Sequence, residues 1–465
     1  MAKQPKAKQN LRFKLKKQQW VGLWVPGLIA LAIKIIWLNK VEYNGILGSD
    51  GESYLRGMES IWNTGIFSSN EFLLSFPAGY PIILAYLNFF SKFLTLPVTA
   101  VLQSALYLLS CVFFIKQIKR TRLAKFSLVL SIVLAFNPSL SLSSISIGYE
   151  SPSASLFLIS IAFLIRFTLG ETSNSRIKIV MNLIYSSIAI GIASFMQPRL
   201  MPCGLAMLII WLYHTQQKAI FVYLTITTIC IVSIFPTILA LRNFEANGLF
   251  TVSTNLGTTM SIGAGDKATG GYSNNSSGVP CNDTSRNSAE ADTKRIKCVL
   301  AWYIDNSSKL PGLVIRKSEF YWSPWFGILA NGTTARSPWL DVHPLNKYKK
   351  TESGIKLIYG NVGLFISWSW LLGSLFFLFK GFIFLWRANF LERLIGIAAL
   401  SPTMFSWLIS IGTIGDHRFR IPLMGLSLFL QIVGIFSPFG GNARLVGAPT
   451  SVYWKSLERK ANLLP

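Results

Sequence analysis

Acidic side chains are scarce in this chain of 465 residues, which carries 19 of them against 44 lysines and arginines. The formal net charge at pH 7 is therefore +25. Nucleic-acid-binding proteins can show such a surplus, with the basic residues on one face or beside aromatic residues on a sheet. Here they fall mainly in short gaps between apolar runs, as in the cytoplasmic loops of membrane proteins. This distribution argues against nucleic acid as a partner and favours a membrane protein.

Residues suited to metal and redox chemistry are equally few, with three histidines and five cysteines. The histidines are too dispersed for a dedicated metal cage, and the sequence contains neither HExxH nor CxxC nor a glycine-rich phosphate loop. Three of the cysteines lie in apolar runs and are expected to be small buried side chains. Cys281 and Cys298 share one polar region, and a disulfide between them is left open because it requires an oxidising compartment.

Apolar residues, in contrast, make up 51% of the chain and charged residues only 14%. A soluble domain of this length would rarely show these values, so the fold class predicted is an all-α polytopic membrane protein. About ten runs approach the length of about 20 residues that a spanning helix needs. The predicted spans are 20–38, 98–115, 126–147, 153–169, 177–196, 200–213, 220–241, 360–384, 394–411 and 421–437.

The charge of the loops predicts the side of the membrane on which each loop lies. With the amino terminus in the cytoplasm, the basic loops 116–125, 176–178 and 387–393 and the basic carboxyl-terminal tail share the cytoplasmic side. The apolar run 80–96 would reverse this assignment if it crossed the membrane, so we expect it to form a juxtamembrane helix. Both termini are therefore predicted to be cytoplasmic, with the protein in the plasma (inner) membrane.

This span pattern divides the chain into three parts. Residues 1–241 are predicted to form an N-terminal transmembrane module, whose first external loop covers 39–97. Residues 242–359 form a long extracytoplasmic loop, partly irregular because it is rich in Gly, Ser, Asn and Thr. Residues 360–465 form a C-terminal transmembrane module with a basic cytoplasmic tail.

The stretch 49–81, SDGESYLRGMESIWNTGIFSSNEFLLSFPAGYP, concentrates the scarce acidic residues just after the first span. Its apolar residues between Tyr54 and Trp62 recur at a helical period, which predicts a short helix lying on the membrane surface. We expect this stretch to be an active-site loop on a membrane scaffold. Its acidic residues are Asp50, Glu52, Glu59 and Glu71.

Asp50 and Glu52 admit two interpretations. A carboxylate at this position can deprotonate an incoming hydroxyl or, with its neighbour, hold a divalent cation. The alternative is that SDGE caps a helix, with Ser49 or Asp50 as the N-cap and Glu52 in the first turn. Both interpretations predict a helix that begins here.

Further candidates lie at the same external face. Glu150 is at the outer end of two predicted spans, where acidic residues are usually functional, although capping or snorkelling is an alternative. Four arginines oppose the usual cytoplasmic bias: Arg199, Arg242, Arg418 and Arg420. A lipid-linked phosphate would supply an anionic partner through forked hydrogen bonds. Ordinary lipid headgroups, or pairing with Glu150 and Asp416, are the alternatives.

These motifs, taken in order, resemble a known family. SDGESYL, NTGIFS and FPAGYPIILAYL are followed by a basic cytoplasmic loop, the external Glu150, LRNFEANGLFTVSTNLGTTMSIGAG and the late DHRFRIPL. The pattern resembles the GT-C superfamily of polyprenyl-phosphate-sugar-dependent glycosyltransferases. Within it, the pattern is most similar to the bacterial branch related to protein O-mannosyltransferases and the aminoarabinose transferase of lipid A. The resemblance runs from the first span to the last, and its specificity lies in the combination of motifs.

The resemblance implies roles for particular residues. Asp50 matches the catalytic carboxylate that opens the first external loop, Glu150 matches a second external acid, and Arg420 resembles the arginine that meets the donor phosphate. The chain departs from the pattern in two places. Phe76 stands before the proline of the first loop, where relatives often have a basic residue, and a glycine separates Asp50 from Glu52. A divalent cation, magnesium or manganese, at these two acids therefore stays open.

The implied reaction is transfer of a sugar from a polyprenyl-phosphate-linked donor to a lipid, glycan or protein acceptor in a single inverting displacement. Arg418, Arg199 and Arg242 are weaker candidates for phosphate contact than Arg420, and Tyr54 and Tyr80 are candidates for substrate contact. The alternative from another class is a transporter or flippase for lipid-linked sugars or polysaccharide. A transporter should pair charged or helix-breaking positions across two related halves near the bilayer midplane. Here the polar residues collect at one face.

Overall fold

A computed structural model of the protein describes residues 23–36, 50–90, 95–169, 176–215, 218–266, 268, 270–271, 281, 289–322 and 354–438. Within these ranges the chain forms helices and no β-strand. The α-helices are α1 (Leu23–Ile36), α2 (Gly51–Thr64), α3 (Glu71–Ser75), α4 (Gly79–Leu87), α5 (Thr95–Ile118), α6 (Ser127–Phe136), α7 (Pro138–Leu142), α8 (Glu150–Leu169), α9 (Arg176–Met196), α10 (Leu200–Thr215), α11 (Lys218–Asn247), α12 (Leu256–Ile262), α13 (Ala289–Asp305), α14 (Leu310–Trp322), α15 (Gly354–Trp386), α16 (Phe390–Gly412) and α17 (Ile421–Phe436).

The prediction of an all-α membrane protein is confirmed by the length and composition of these helices. In the part of the chain that the structure describes, six helices are long and apolar enough to cross a membrane. They are Thr95–Ile118, Glu150–Leu169, Ile220–Asn247, Trp368–Trp386, Phe390–Gly412 and His417–Phe436.

Four further apolar elements coincide with the remaining predicted spans but are shorter or broken. The segment 122–145 forms a helix pair, bent by 54°, that is apolar enough to span only if both parts are counted together. Leu23–Ile36, Val180–Met196 and Leu200–Thr215 are apolar helices of 10–17 residues. At 1.5 Å per residue such helices rise at most about 26 Å, slightly less than the hydrocarbon thickness of about 30 Å.

Helix α8 is the centre of the bundle. It packs against α5, α9 and α17, and nearly all of its residues are buried. Small side chains allow neighbouring helices to approach it closely, and it carries four buried serines, Ser151, Ser153, Ser155 and Ser160. In contrast, α11 and α15 expose large apolar side chains such as Ile226, Ile234 and Phe376, as expected of lipid-facing helices.

The helices of the first loop pack on one end of this bundle. The helix predicted from the apolar stripe is present as α2, but its stripe packs against the protein core: Tyr54 and Met58 are buried, and Leu55, Ile61 and Trp62 pack against the same core. Helix α4 packs against α2 and α9. It has nine residues and rises about 14 Å, which is too short to cross the hydrocarbon.

Helices α15 and α17 cross so closely that a Cβ would not fit at two positions of the crossing, both of which are glycine. A Cβ at Gly381 would lie 1.9 Å from the carbonyl oxygen of Leu430, and a Cβ at Gly434 would lie 2.0 Å from that of Phe377. The two backbones are therefore in direct contact, as at other small-residue crossings in membranes.

We expect Gly381→Val to destabilise the protein by about 1–3 kcal/mol, because the added atoms must push the two backbones apart. Gly373→Val is the matched control, since no atom lies within 4 Å of a Cβ at that position on the same helix. The measurement is thermal unfolding in detergent. Equal unfolding temperatures for the two variants would contradict the close crossing.

Candidate functional site

The predicted acids and one predicted arginine meet where several helices begin. Asp50 precedes the first residue of α2, Glu150 is the first residue of α8, and Arg418 lies in a 3₁₀ turn, His417–Arg420, directly before α17. The site therefore combines the first loop, the central helix and the last helix at one end of the bundle.

The Arg418 guanidinium group bridges the two carboxylates. Its Nε lies 2.8 Å from Oε1 of Glu150, and its Nη2 donates a hydrogen bond to Oδ2 of Asp50. The Arg418 and Glu150 side chains are 11% and 1% exposed, whereas that of Asp50 is 25% exposed. Asp50 is therefore the carboxylate that a ligand can reach, and Glu150 is an interior counter-ion.

This pairing bears on the capping interpretation of Asp50. Asp50 occupies the N-cap position of α2, but its side chain makes no capping hydrogen bond. Its carboxylate instead pairs with an arginine 368 residues away in the sequence. The pairing of one of the four arginines with Glu150, which was one alternative from the sequence, is also present.

Asp416 supports Arg418 through the backbone. Its Oδ1 accepts a hydrogen bond of 2.8 Å from the Arg418 amide and so begins the 3₁₀ turn. Burial raises the pKa of the Asp416 carboxyl to about 6, and the nearby Arg418 charge lowers it in part. Burial therefore disfavours the charged form of the Asp416 carboxyl group, and the Arg418 charge favours it.

Arg199 lies near Arg418 but forms no ion pair with a carboxylate of the described residues. Its guanidinium carbon is 3.5 Å from the centre of the Phe419 ring, and its Nη2 donates a hydrogen bond of 3.2 Å to the Ser410 hydroxyl. Burial lowers the pKa of Arg199. A cation stacked on an aromatic ring and bound to one hydroxyl keeps donors for an anionic ligand.

Arg420, the arginine that the resemblance favoured, points elsewhere. It donates hydrogen bonds of 3.1 Å to the Trp322 carbonyl oxygen and to Nδ1 of His417. Because Nδ1 accepts this bond, the neutral imidazole donates from Nε2 to the Ser139 hydroxyl at 2.9 Å. In a 3₁₀ turn, residues two positions apart are rotated by about 240°, so Arg418 and Arg420 face different directions.

Arg242 was predicted to contact substrate, and in the structure its guanidinium group is directed at the first loop. Its guanidinium donates hydrogen bonds to three backbone carbonyl oxygens, those of Ile66, Ser68 and Leu73, and to the side chain of Asn243. These four acceptors take up four of the five N–H donors of the guanidinium group. Arg242 therefore braces the connection between α2 and α3 from α11.

Glu52 and Asp50, the two acids considered for a metal ion, have different partners in the structure. Glu52 forms an exposed ion pair with Arg56 one turn along α2, whereas Asp50 pairs with Arg418. Among the described residues there is no group of three or more His, Cys, Asp or Glu side chains that could hold a metal ion. Magnesium and manganese prefer several oxygen ligands. The donor set at Asp50 and Glu52 does not fit such an ion.

The two tyrosines lie behind the acids. The Tyr54 ring packs edge-on against Phe76 and Tyr80, with centroid distances of 5.9 and 5.1 Å. The Tyr80 hydroxyl accepts a hydrogen bond of 2.9 Å from the Gly148 amide, two residues before Glu150. Both tyrosines are buried, so they hold the first loop against the start of α8 rather than line an open surface.

Phe419 and Ser410 were not predicted, although both contact Arg199. The only sequence signal for Phe419 is its position between two arginines, and Ser410 lies in an ordinary apolar run. Their contribution depends on the packing of α16 against α10, which no local pattern reports.

Comparisons with known proteins do not assign the chain to a family: no protein-family model matches it, and no curated protein matches it. The functional interpretation therefore depends on the geometry of the site.

We expect Arg418→Met to destabilise the protein by about 3–5 kcal/mol, because it leaves Glu150 buried without its counter-ion. Arg56→Met is the matched control, since the Arg56 ion pair is exposed and should be worth less than about 1 kcal/mol. Thermal or denaturant unfolding in detergent measures both. A loss for Arg418→Met no larger than that for Arg56→Met would contradict the bridging role.

Proposed function

We propose that this protein is a membrane glycosyltransferase that moves a sugar from a polyprenyl-phosphate-linked donor to an acceptor hydroxyl. One observation carries the proposal: a partly exposed carboxylate, Asp50, pairs with the buried Arg418 guanidinium, and the partly buried Arg199 stacks on Phe419, the residue next to Arg418, at one end of a membrane helix bundle. A carboxylate can take a proton from an attacking hydroxyl, and guanidinium groups can stabilise a phosphate leaving group. A donor with a lipid tail would reach this position from the bilayer.

The proposed step is a single displacement. The acceptor oxygen forms a bond to the anomeric carbon as its proton passes to a carboxylate oxygen of Asp50. The bond between the anomeric carbon and the phosphate oxygen breaks, and its electron pair stays on the phosphate. Attack opposite the leaving group inverts the configuration at the anomeric carbon, as in inverting glycosidases.

Arg418 connects donor binding with the basicity of Asp50. In the structure its guanidinium is shared between Asp50 and Glu150. A donor phosphate near Arg199 would compete with Asp50 for Arg418, because guanidinium binds phosphate through forked, charge-assisted bonds. Weakening the Arg418–Asp50 contact would leave Asp50 a stronger base. Glu150 stays as the counter-ion that holds Arg418 near the site.

The proposed membrane arrangement has ten spans, with both termini in the cytoplasm and the site on the outer side of the plasma (inner) membrane. Six helices are long and apolar enough to cross a membrane, the bent pair counts as a seventh if it is one span, and in this proposal the three shorter apolar helices complete the ten. The disulfide between Cys281 and Cys298, in the long polar segment, supports an oxidising environment there. The acceptor in this scheme is a lipid, glycan or protein in the cell envelope, and no step uses a metal.

A transporter of lipid-linked sugars is the second candidate, and one observation favours it. Lys34 on α1 is a buried cation inside the bundle, where it donates a hydrogen bond of 2.9 Å to the Ser144 hydroxyl. Ionisable residues within a membrane often mark transport pathways. The two functions differ in whether purified protein in detergent transfers sugar to an acceptor without a membrane gradient.

We expect Asp50→Asn to lower kcat for sugar transfer by about 10²–10⁴-fold, the usual contribution of a general base. The amide keeps the shape of the side chain but cannot accept the acceptor proton. Glu59→Gln is the matched control, because Glu59 is exposed on the same helix α2. The assay measures transfer from a polyprenyl-phosphate-linked mannose in detergent. Wild-type rates for Asp50→Asn would remove this residue from its proposed role, and no transfer by wild-type protein from such donors would favour the transporter.

We expect Arg199→Met to lower kcat/KM for the lipid-linked donor by about 10²-fold, because a charge-assisted contact to the phosphate is lost. Arg56→Met should keep the wild-type value, since Arg56 lies in an exposed ion pair on the outer side of α2. Initial rates at varied donor concentration give the measurement. An unchanged kcat/KM for Arg199→Met would assign the phosphate to another group.

A further inference from the structure

The turn between α16 and α17, residues 413–416, determines where Arg418 lies. It links the last residue of α16 with the 3₁₀ turn that carries the guanidinium, and it is not helical. Its own side chains supply one support for Arg418, the bond from Asp416 to the Arg418 amide. Further contacts to this turn come from a different part of the chain, the segment that includes α12, α13 and α14.

Lys317 of α14 makes three hydrogen bonds at the place where α16 ends and this turn begins. Its Nζ donates to the carbonyl oxygen of Ile411 at 2.8 Å, to that of Thr413 at 2.7 Å and to the hydroxyl of Tyr303 at 2.9 Å. An ammonium group has three N–H donors, so all of them are used. The Tyr303 hydroxyl in turn donates to the carbonyl oxygen of Gly412 at 3.2 Å.

Lys317 thus acts on the carboxyl end of α16. The last carbonyl groups of a helix have no partner within the helix, and cations are favourable there. Lys317 is only 1% exposed, and burying an ammonium group is costly unless acceptors surround it. Two of the three donors of this buried lysine are directed at the end of α16 and the turn that follows it, and the third is directed at Tyr303, which itself bonds to Gly412 at the same place.

The backbone of the same segment holds the turn from two sides. A Cβ at Gly415 would lie 2.2 Å from the Lys317 carbonyl oxygen, and a Cβ at Gly263 would lie 1.9 Å from that of Thr413. The Gly415 amide also donates a hydrogen bond of 2.9 Å to the carbonyl oxygen of Gly270. The turn is therefore enclosed between α14 and the chain that follows α12.

We infer that Lys317 is a positioning residue: it fixes the turn 413–416 so that the Arg418 guanidinium lies between Asp50 and Glu150. The segment that contains α13 and α14 then serves as a support for the catalytic end of the bundle. Its effect on turnover rests on the proposed function, but its effect on the turn does not. Small displacements of positioned groups cost rate steeply.

Hydrogen exchange of the detergent-solubilised full chain tests the inference directly. In Lys317→Met we expect faster exchange of the amides in residues 411–420 than in wild type, because the end of α16 and the turn lose the Lys317 bonds to the carbonyl oxygens of Ile411 and Thr413. Lys294→Met, an exposed lysine on α13, is the matched control and should exchange at the wild-type rate. Lys317→Arg keeps the charge and should restore part of the protection. Unchanged exchange in Lys317→Met, or equal acceleration in Lys294→Met, would overturn the inference.

Kinetics provide the second readout. We expect Lys317→Met to lower kcat about 10²-fold with a smaller change in the donor KM, because Arg418 shifts relative to Asp50 while the hydrogen bond from Arg199 to Ser410 on α16 is kept. A folded Lys317→Met with wild-type kcat would overturn the positioning role. If wild-type protein transfers no sugar, the proposed function fails and the exchange experiment alone decides the role of Lys317.

Tyr303→Phe provides a second variant for the same measurement if Lys317→Met does not fold. It removes one acceptor of Lys317 and the bond to the Gly412 carbonyl, so we expect a smaller acceleration of exchange in the same residues. Unchanged exchange in Tyr303→Phe would then count against the inference.

Discussion

The position of the Arg418 guanidinium between the Asp50 and Glu150 carboxylates is the interaction on which the site depends. Each of these charges alone would be costly near a membrane interior, and together they stabilise one another. They join the first loop, the central helix α8 and the last helix α17 at one end of the bundle. The rest of the architecture holds these three elements in register: α4 packs on α9, Arg242 braces the first loop and Lys317 fixes the turn before Arg418.

This arrangement separates two tasks within one cluster of charges. Glu150 is buried and keeps Arg418 in place, while Asp50 is partly exposed and forms an ion pair with the same guanidinium group. Arg199 adds a cation that no carboxylate among the described residues neutralises through an ion pair. In our proposal, a phosphate that enters this group changes the partner of Arg418 and thereby the basicity of Asp50. Such coupling needs no large conformational change, because the exchange of partners takes place within a few ångströms.

The sequence predicted the elements well and the individual contacts less well. The stripe from Tyr54 to Trp62 indicated α2 correctly, because burial of one helical face leaves a period in the sequence. Asp50 and Glu150 were singled out because acids are rare here and both follow or begin apolar runs. The choice among the arginines was less successful. Arg418 and Arg420 are two residues apart and chemically identical, and only the 3₁₀ geometry directs one to the carboxylates and the other to Trp322 and His417.

By itself, the sequence determined that the protein is a bundle of apolar helices in a membrane, because every backbone polar group in hydrocarbon must be satisfied within the chain. It also determined which few charges are available for chemistry. The tertiary structure alone decided which charges pair, that Arg242 and Glu52 lie outside the cluster, and that Lys317 reaches the turn before Arg418. The physical reason is that a long charged side chain can satisfy its donors on any nearby carbonyl or carboxylate. Its partner is therefore fixed by distances between helices that are remote in sequence.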